Sequence, residues 1–262
     1  MKCFDSHAHY YDERFIEECT EGVDSLIGTL LNSSVSYIVN VATSPDSCRE
    51  AIEQARRYRN MYTALGIHPS DTRFLSDMDS ELAFVRELIR SPESKCVALG
   101  EIGLDYHYPD TDKDKQMAYF DAQMQLAREL DIPVVIHDRE AHGDIMDVIR
   151  RHEGVRGVLH SFSGSKEMAE ELIKLGYYIS FSGTLTFTNA RKPREVAAVI
   201  PHDRVLIETD CPYLAPHPLR GTLNHSGNLQ YTCAVLASVW GISPEECAGI
   251  TEENAKRFFN IG

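Results

Sequence analysis

Apolar runs and amphipathic stretches alternate along the whole chain. Residues 2–5 read as a strand. They are followed by an amphipathic helix at 22–32, where Val23, Leu26, Ile27, Leu30 and Leu31 recur at helical spacing. Residues 35–42 (VSYIVNVA), rich in β-branched and aromatic residues, predict a second strand. Pro45-Asp46 opens a helix that runs to Tyr58. Residues 61–67 form the third strand, and 77–90 a helix with Leu82, Val85, Leu88 and Ile89 on its inner face. The fourth strand is 95–101 (KCVALGE), with a long helix at 112–130. The fifth, 133–137 (PVVIH), is nearly all apolar, as in a strand covered on both faces. A helix at 142–152, a strand at 155–160 and a helix at 166–175 follow. The seventh strand is 177–181 with a short helix at 194–200, and the eighth is 204–209 (RVLIET). A loop at 210–227 then leads to two helices, 228–240 and 243–260.

Eight strand patterns, each followed by a helical one, predict a parallel sheet. In a chain of 262 residues they predict an α/β fold, a closed (β/α)8 TIM barrel with extra C-terminal helices. No composition break, linker or internal repeat interrupts the series, so residues 1–262 are expected to be a single domain.

Composition narrows the function. The chain is 43% hydrophobic and carries 26 basic against 40 acidic residues, a formal charge of −14. That balance argues against a protein that coats nucleic acid. It leaves room for an enzyme that grips phosphate locally through metal ions. The seven cysteines are odd in number and form no CxxC pair, which suits a reducing compartment. The N-terminus has no apolar signal region, and no apolar run approaches about 20 residues. The expectation is a cytoplasmic protein without a membrane partner, monomeric or weakly oligomeric.

In a barrel of this kind the chemistry sits at the C-terminal ends of the strands. The first strand ends in His7 and His9, the third in His68, the fourth in Glu101. The fifth ends in His137, the sixth in His160 and the eighth in Asp210. Residues i and i+2 of a strand share a face, so His7 and His9 aim at one point. Any one of these residues alone reads as a core histidine or a surface carboxylate. Together, His7, His9, Glu101, His137, His160 and Asp210 read as a metal site.

Four histidines and two carboxylates exceed what one open tetrahedral ion needs. They suit two divalent ions bridged by a carboxylate, with Glu101 as the bridge. His7, His9 and Asp210 would hold one ion, and His137 and His160 the other. Mixed nitrogen and oxygen donors fit Zn, Mn, Fe or Ni, and Mg less well. Asp210 is the candidate base for an attacking water. Asp5 reads as structural, or as a support for His7.

The same residues carry a resemblance. Asp5-Ser6-His7-Ala8-His9, Gly66-Ile67-His68-Pro69, residues 100–106 (GEIGLDY), 133–137 (PVVIH), 160–164 (HSFSG) and 208–214 (ETDCPYL) resemble the signature blocks of the TatD-type metal-dependent hydrolases, an amidohydrolase-like family. The match runs nearly end to end and includes the tail at 251–259 (TEENAKRFF). The resemblance implies a deoxyribonuclease with a binuclear metal centre on the six residues above. It would cleave phosphodiester bonds as a 3'-5' exonuclease-like enzyme on single-stranded DNA or ends, with DNA a transient partner. One block departs: 220–226 reads RGTLNHS, with Ser226 where the family pattern has proline. The alternative is a metal-dependent hydrolase of a small ester, amide or phosphoester.

Around the mouth, Arg139 and Arg220 are candidate phosphate ligands, since guanidinium holds phosphate in a bidentate fashion. Arg191, Lys192 and Arg194 read equally well as surface cations. His68 either donates to a phosphate oxygen or is a buried, hydrogen-bonded histidine. Tyr106, Phe162 and Tyr213 follow three ligand positions, where they could stack on bases or pack the wall.

Overall fold

The computed structural model describes residues 1–262. Its elements are β1 (Cys3–Ala8), α1 (Glu13–Glu18), α2 (Val23–Ser33), β2 (Val35–Val41), α3 (Pro45–Arg56), β3 (Met61–Leu65) and α4 (Met78–Arg90). There follow β4 (Cys96–Asp105), α5 (Lys113–Leu130), β5 (Val134–Arg139), α6 (His142–Arg151), β6 (Gly157–Leu159) and α7 (Lys166–Lys174). The chain ends with β7 (Tyr178–Phe181), α8 (Arg191–Ala197), β8 (Val205–Ile207), α9 (Leu229–Trp240) and α10 (Pro244–Phe259). The strands pair in parallel in the order β1 to β8, giving the expected (β/α)8 barrel with two added C-terminal helices.

Three boundaries differ from the pattern-based expectation in ways that matter. Strand β4 continues past Glu101 to Asp105, so Glu101 stands inside a strand and not at its end. Helix α8 begins at Arg191, three residues early. Pro193 lies in its first turn, where a missing N–H breaks no helical bond. Helix α1 was not foreseen; it is one and a half turns long and is anchored by Phe15, whose ring stacks on Tyr10 at 4.8 Å.

The barrel interior is filled by a side chain from each of the eight strands: Phe4, Val39, Ala64, Ala98, Val135, Val158, Tyr178 and Leu206. Phe258, Phe259 and Ile261, at the end of α10, close its lower mouth, with Phe259 stacked on Phe4 at 6.0 Å. The opposite strand faces pack under the helices. The lower half is therefore a sealed apolar plug, and polar groups are confined to the upper rim. No helix is long and apolar enough to cross a membrane.

Two pairing irregularities set the site. Phe4 faces the interior while Ala8 packs outward, and the β1–β2 register shifts between Asp5 and Ala8. Simple alternation from Phe4 would turn His7 and His9 outward; the extra residue reverses the parity and turns them in. The β4–β5 register likewise shifts between Leu99 and Ile102, so Ala98 and Glu101, three apart, both face the axis. Beyond this shift Gly103 has φ +132°, and a Cβ there would lie 2.1 Å from the His137 carbonyl oxygen. Only glycine lets β4 pass that close to the strand that carries His137.

Closure of β1 onto the segment after β8 uses few backbone bonds: Asp210 N–H to His7 O (2.9 Å) and His9 N–H to Cys211 O (2.8 Å). Asp5 completes the seam. Its Oδ1 accepts from Thr209 N–H at 2.9 Å and its Oδ2 from the Thr209 hydroxyl at 2.6 Å. Burial pushes the Asp5 carboxyl up to about 6, against the hydrogen bonds that favour its charged form. A carboxyl raised in the fold stabilises it fully below about pH 4, and that contribution is lost as pH rises through about 6. Ionised Asp5 therefore weakens the fold at neutral pH. In urea unfolding with EDTA present, Asp5→Asn should gain on the wild type by about 2 kcal/mol between about pH 4.5 and 7.5. A constant difference across that range would show that Asp5 does not titrate there.

Candidate metal centre

Six strand ends deliver side chains to one point above the apolar plug. In β3, β5, β6 and β8 plain alternation suffices: Ala64, Val135, Val158 and Leu206 face inward, and His68, His137, His160 and Asp210 follow at even offsets. In β1 and β4 the shifted registers supply His7, His9 and Glu101. Asp210 adopts φ +57°, a left-handed conformation uncommon for a residue with a Cβ. It is fixed there by its bond to His7 and by Tyr213 N–H donating to its carbonyl at 2.9 Å.

Glu101 lies at the centre, 3% exposed. Its Oε2 is 3.2 Å from His7 Nε2 and 3.7 Å from His9 Nε2. Its Oε1 is 2.8 Å from His137 Nδ1, 2.9 Å from His160 Nε2 and 3.6 Å from His68 Nε2. On the first side, Asp210 Oδ1 is 3.6 Å from His7 Nε2 and 3.3 Å from His9 Nε2, and the two imidazole nitrogens are 3.0 Å apart. Tetrahedral ligands about 2.0–2.1 Å from an ion lie about 3.3 Å from one another. The separations of His7 and His9 from each other, from Glu101 and from Asp210, 3.0–3.7 Å, bracket that value. On the second side Glu101, His137 and His160 make a tighter triangle, with His137 Nδ1 and His160 Nε2 at 3.1 Å. The facing nitrogens, brought together without enough protons to pair them all, are what a donor set for cations looks like.

The outward nitrogens fix which lone pairs face inward. His9 Nδ1 is 2.7 Å from Val41 O, a bond it makes as N–H donor, which leaves Nε2 free as a ligand. His137 Nε2 is 3.3 Å from Asp105 Oδ2, which leaves Nδ1 free. His160 Nδ1 lies 3.3 Å from Glu208 Oε1 without a hydrogen bond to it, while Glu208 Oε1 accepts from Ser161 N–H at 2.5 Å. His7 Nδ1 is buried without a hydrogen-bond partner, and its ring stacks on His160 at 4.1 Å. His68 differs. Its Nδ1 accepts from Ser70 N–H at 3.1 Å, so a neutral ring carries its proton on Nε2 and points a donor into the cavity.

Burial opposes ionisation of Glu101, but His160, His68, His7 and the bond from His137 outweigh it and hold the carboxyl well below its usual range. Asp210 is likewise lowered: burial raises it, and His9, His160 and His7 prevail. His160 is pushed well above the usual imidazole value, because Glu101 and Glu208 overcome its burial. His9 and His137 are raised by their carboxylate partners against the same burial. His7 is lowered by burial and by His160, and His68 falls to about 3 through burial.

These residues line a cavity of about 770 Å³ that opens at the C-terminal rim. Six carboxylates border it: Asp12, Asp71, Glu101, Asp105, Asp138 and Asp210. Arg139 is its single arginine, and no lysine reaches it. Of the other expected rim residues, His68 lines the cavity, whereas Arg220 lies outside it with its guanidinium 4.3 Å from the Phe187 ring. Arg194 donates to the carbonyls of Leu185, Thr186 and Phe187, and Arg191 pairs with Glu195 in solvent. Tyr106 hydrogen-bonds Asp144, Phe162 is buried in the cavity wall, and Tyr213 stands exposed at the rim. Ser226 has a structural reason: its N–H donates to the Tyr10 hydroxyl at 3.0 Å, a bond proline could not make, and its own hydroxyl meets the same oxygen at 2.7 Å.

Sequence reasoning missed Asp105 and Glu208, which stand beside His137 and His160. The signal was present as strand parity. Asp105 is four residues beyond Glu101 in β4, and Glu208 is two before Asp210, so each shares the face of a residue already singled out.

The comparisons agree with this architecture. The profile of the family described as TatD related DNase matches residues 4–260. A Bacillus subtilis protein named uncharacterized metal-dependent hydrolase YabD is 40% identical over 260 residues, covering 98% of this chain and 99% of that protein. Escherichia coli YcfH, with the same descriptive name, is 36% identical over 263 residues, covering 100% of this chain and 97% of that protein. The crystal structure of the TatD homologue YjjV from Escherichia coli superposes with a TM-score of 0.89 at 29% identity, covering 99% of this chain and 98% of that one. With one profile spanning nearly every residue and full-length relatives at this identity, the chain belongs to the TatD-related family.

Proposed function

We propose that the protein is a divalent-metal-dependent hydrolase that cleaves phosphodiester bonds of DNA, trimming single strands or ends in a 3'-5' exonuclease-like manner. The observation that carries the reading is the placement of Glu101. It offers one oxygen to His7 and His9 and the other to His137 and His160, at the floor of an open cavity. His7, His9, Glu101 and Asp210 would hold one ion, and Glu101, His137 and His160 a second. Such ions act as Lewis acids on phosphoryl oxygen and make water acidic enough to ionise near neutral pH.

This chain's own residues do the rest. Asp210, ionised at neutral pH and at the cavity floor, takes the proton of the attacking water as its oxygen bonds to phosphorus. The same proton then passes to the leaving 3' oxygen as the P–O bond breaks. His68 Nε2–H, the one imidazole donor turned into the cavity, donates to a non-bridging phosphate oxygen. Arg139 at the rim pairs with phosphate on the outer side. Asp105 and Glu208 touch no substrate; Asp105 holds His137 in the tautomer that faces inward, and Glu208 places negative charge beside His160.

A second reading, hydrolysis of a small ester, amide or phosphoester, is favoured by one feature: six carboxylates against one arginine around the cavity. Metal-loaded protein incubated with labelled single-stranded DNA, beside a panel of small esters and lactones, separates the two. The nuclease reading expects cleavage with at least one of Mg, Mn, Zn, Co and Ni. It expects Asp210→Asn to lower kcat by about 10²- to 10⁴-fold. Protein shown to hold metal but inert on DNA, with higher kcat/KM on a small ester, would establish the alternative instead.

The ligand assignment has its own test. His160 is pushed well above the usual imidazole value because Glu101 and Glu208 outweigh its burial, so the metal-free site holds a proton there that an ion must displace. Calorimetric titration with Zn or Mn at about pH 7, in buffers of different ionisation enthalpy, should show at least one proton released per chain. The release should shrink as pH rises, and Glu101→Gln should weaken binding by about 10-fold or more. Binding with no proton release would mean that the ion sits elsewhere.

A further inference from the structure

Two tyrosines at the mouth are used neither by the metal centre nor by the core. Tyr108 follows β4 and is 53% exposed; Tyr213 follows β8 and is 45% exposed. Strands four and eight lie half a turn apart in the strand order of the eight-stranded barrel, so the segments that carry the two tyrosines leave opposite sides of the mouth. Both line the cavity. Each has an arginine beside it: Arg139 Cζ is 5.8 Å from the Tyr108 ring centre, and Arg14 Cζ is 5.7 Å from that of Tyr213. The Tyr213 hydroxyl donates to Asp12 Oδ2 at 2.6 Å, which fixes the ring by its edge and leaves its orientation set before anything binds. Fixed, exposed aromatics cost little ordering entropy when a flat partner lands on them.

Charge points the same way. Away from the centre the cavity offers a polyanion mostly carboxylates, and Arg14 is already paired with Glu18 at 2.8 Å. Backbone phosphates other than the one at the centre therefore find a single arginine, and affinity must come from uncharged contact. Aromatic faces supply it for any base, because every base has a π-face. In a duplex those faces are covered by neighbouring bases.

We propose that Tyr108 and Tyr213 are stacking platforms for the two bases that flank the phosphate at the centre, so that the site takes unpaired DNA and reads it by base faces, not by base edges. This rests on the phosphodiesterase reading above and assigns two specificity-determining residues to it. The platforms bind the substrate and take no part in proton transfer.

The test compares metal-loaded wild type, Tyr108→Leu, Tyr213→Leu and Tyr213→Phe on two single-stranded oligonucleotides. One carries normal bases; the other has abasic tetrahydrofuran residues on both sides of the cleaved linkage. On the normal strand each leucine variant should raise KM by about 5- to 100-fold, with kcat changed far less. Tyr213→Phe, which keeps the ring and loses the bond to Asp12, should raise KM far less than Tyr213→Leu. The leucine and abasic changes should not be additive, since both remove one stacked pair. The slope of log kcat/KM against log salt should be shallow, about −0.7 for one phosphate neutralised.

Wild-type cleavage that is indifferent to the abasic sites would overturn the stacking assignment while leaving the nuclease reading intact. So would leucine losses of equal size on both strands. A wild-type enzyme that holds metal yet cleaves neither strand overturns the nuclease reading, and the stacking assignment with it.

Discussion

The structure depends on one buried charge. Glu101 sits on the barrel axis, almost without contact with water, and an isolated carboxylate there would cost several kcal/mol. It is tolerated because imidazoles from four other strands reach it: His7 and His9 from β1, His68, His137 and His160 from the ends of β3, β5 and β6. None of these contacts is local in sequence. Each requires a strand to present a particular residue at a particular height, so the carboxylate's need for partners fixes the register of much of the sheet at once.

That requirement explains the two irregular strands. A barrel with strict alternation would be easier to build, yet β1 and β4 each carry a shifted register just below the site. In both, the last interior apolar residue and the first site residue are three apart: Phe4 and His7, Ala98 and Glu101. The shift lets one strand serve two layers, apolar below and polar above. Support comes from outside the layer. Asp5 closes the seam between β1 and the segment after β8, and the aromatic end of α10 seals the base. The apolar plug lies beneath the polar layer and fills the part of the barrel that Glu101 and its partners do not reach.

Much of this was legible in the sequence. Apolar runs separated by helical patterns give eight strands, and the residues that end those runs are the ones the fold brings together. The reason is physical: a strand buried on both faces must be apolar until it reaches the rim, so the first histidine or carboxylate marks the rim. Legibility fails where parity is broken. Glu101 reads as a strand end because Gly100 and Gly103 look like turn residues, whereas β4 runs on to Asp105 and uses Gly103 to slip past His137. The fate of long side chains is also hidden. Arg220 and Arg194 follow the expected strands, but one lies over Phe187 and the other caps backbone carbonyls. Tyr106 is tied to Asp144, while its neighbour Tyr108, two positions on, stands free at the rim. A guanidinium or a ring has several favourable ends within reach, and only tertiary packing selects one.

The acidity of the mouth looks unsuited to a phosphate substrate until protons are counted. Six carboxylates and Arg139 leave about five negative charges around the cavity. In the metal-free site Glu101 and Glu208 hold His160 well above the usual imidazole value against its burial, and carboxylate partners raise His9 and His137 as well, so protons offset part of that charge. Two divalent ions that displaced those protons would bring four positive charges in their place. Loading also alters position: charge spread over imidazole rings and held by hydrogen bonds becomes concentrated at two points with open faces. A phosphodiester could not compete with Glu101 for the imidazoles already bonded to it, but it can approach an ion whose coordination is incomplete. The buried carboxylate that organises the barrel thus makes an anionic substrate acceptable on one condition, that cations replace protons as its partners.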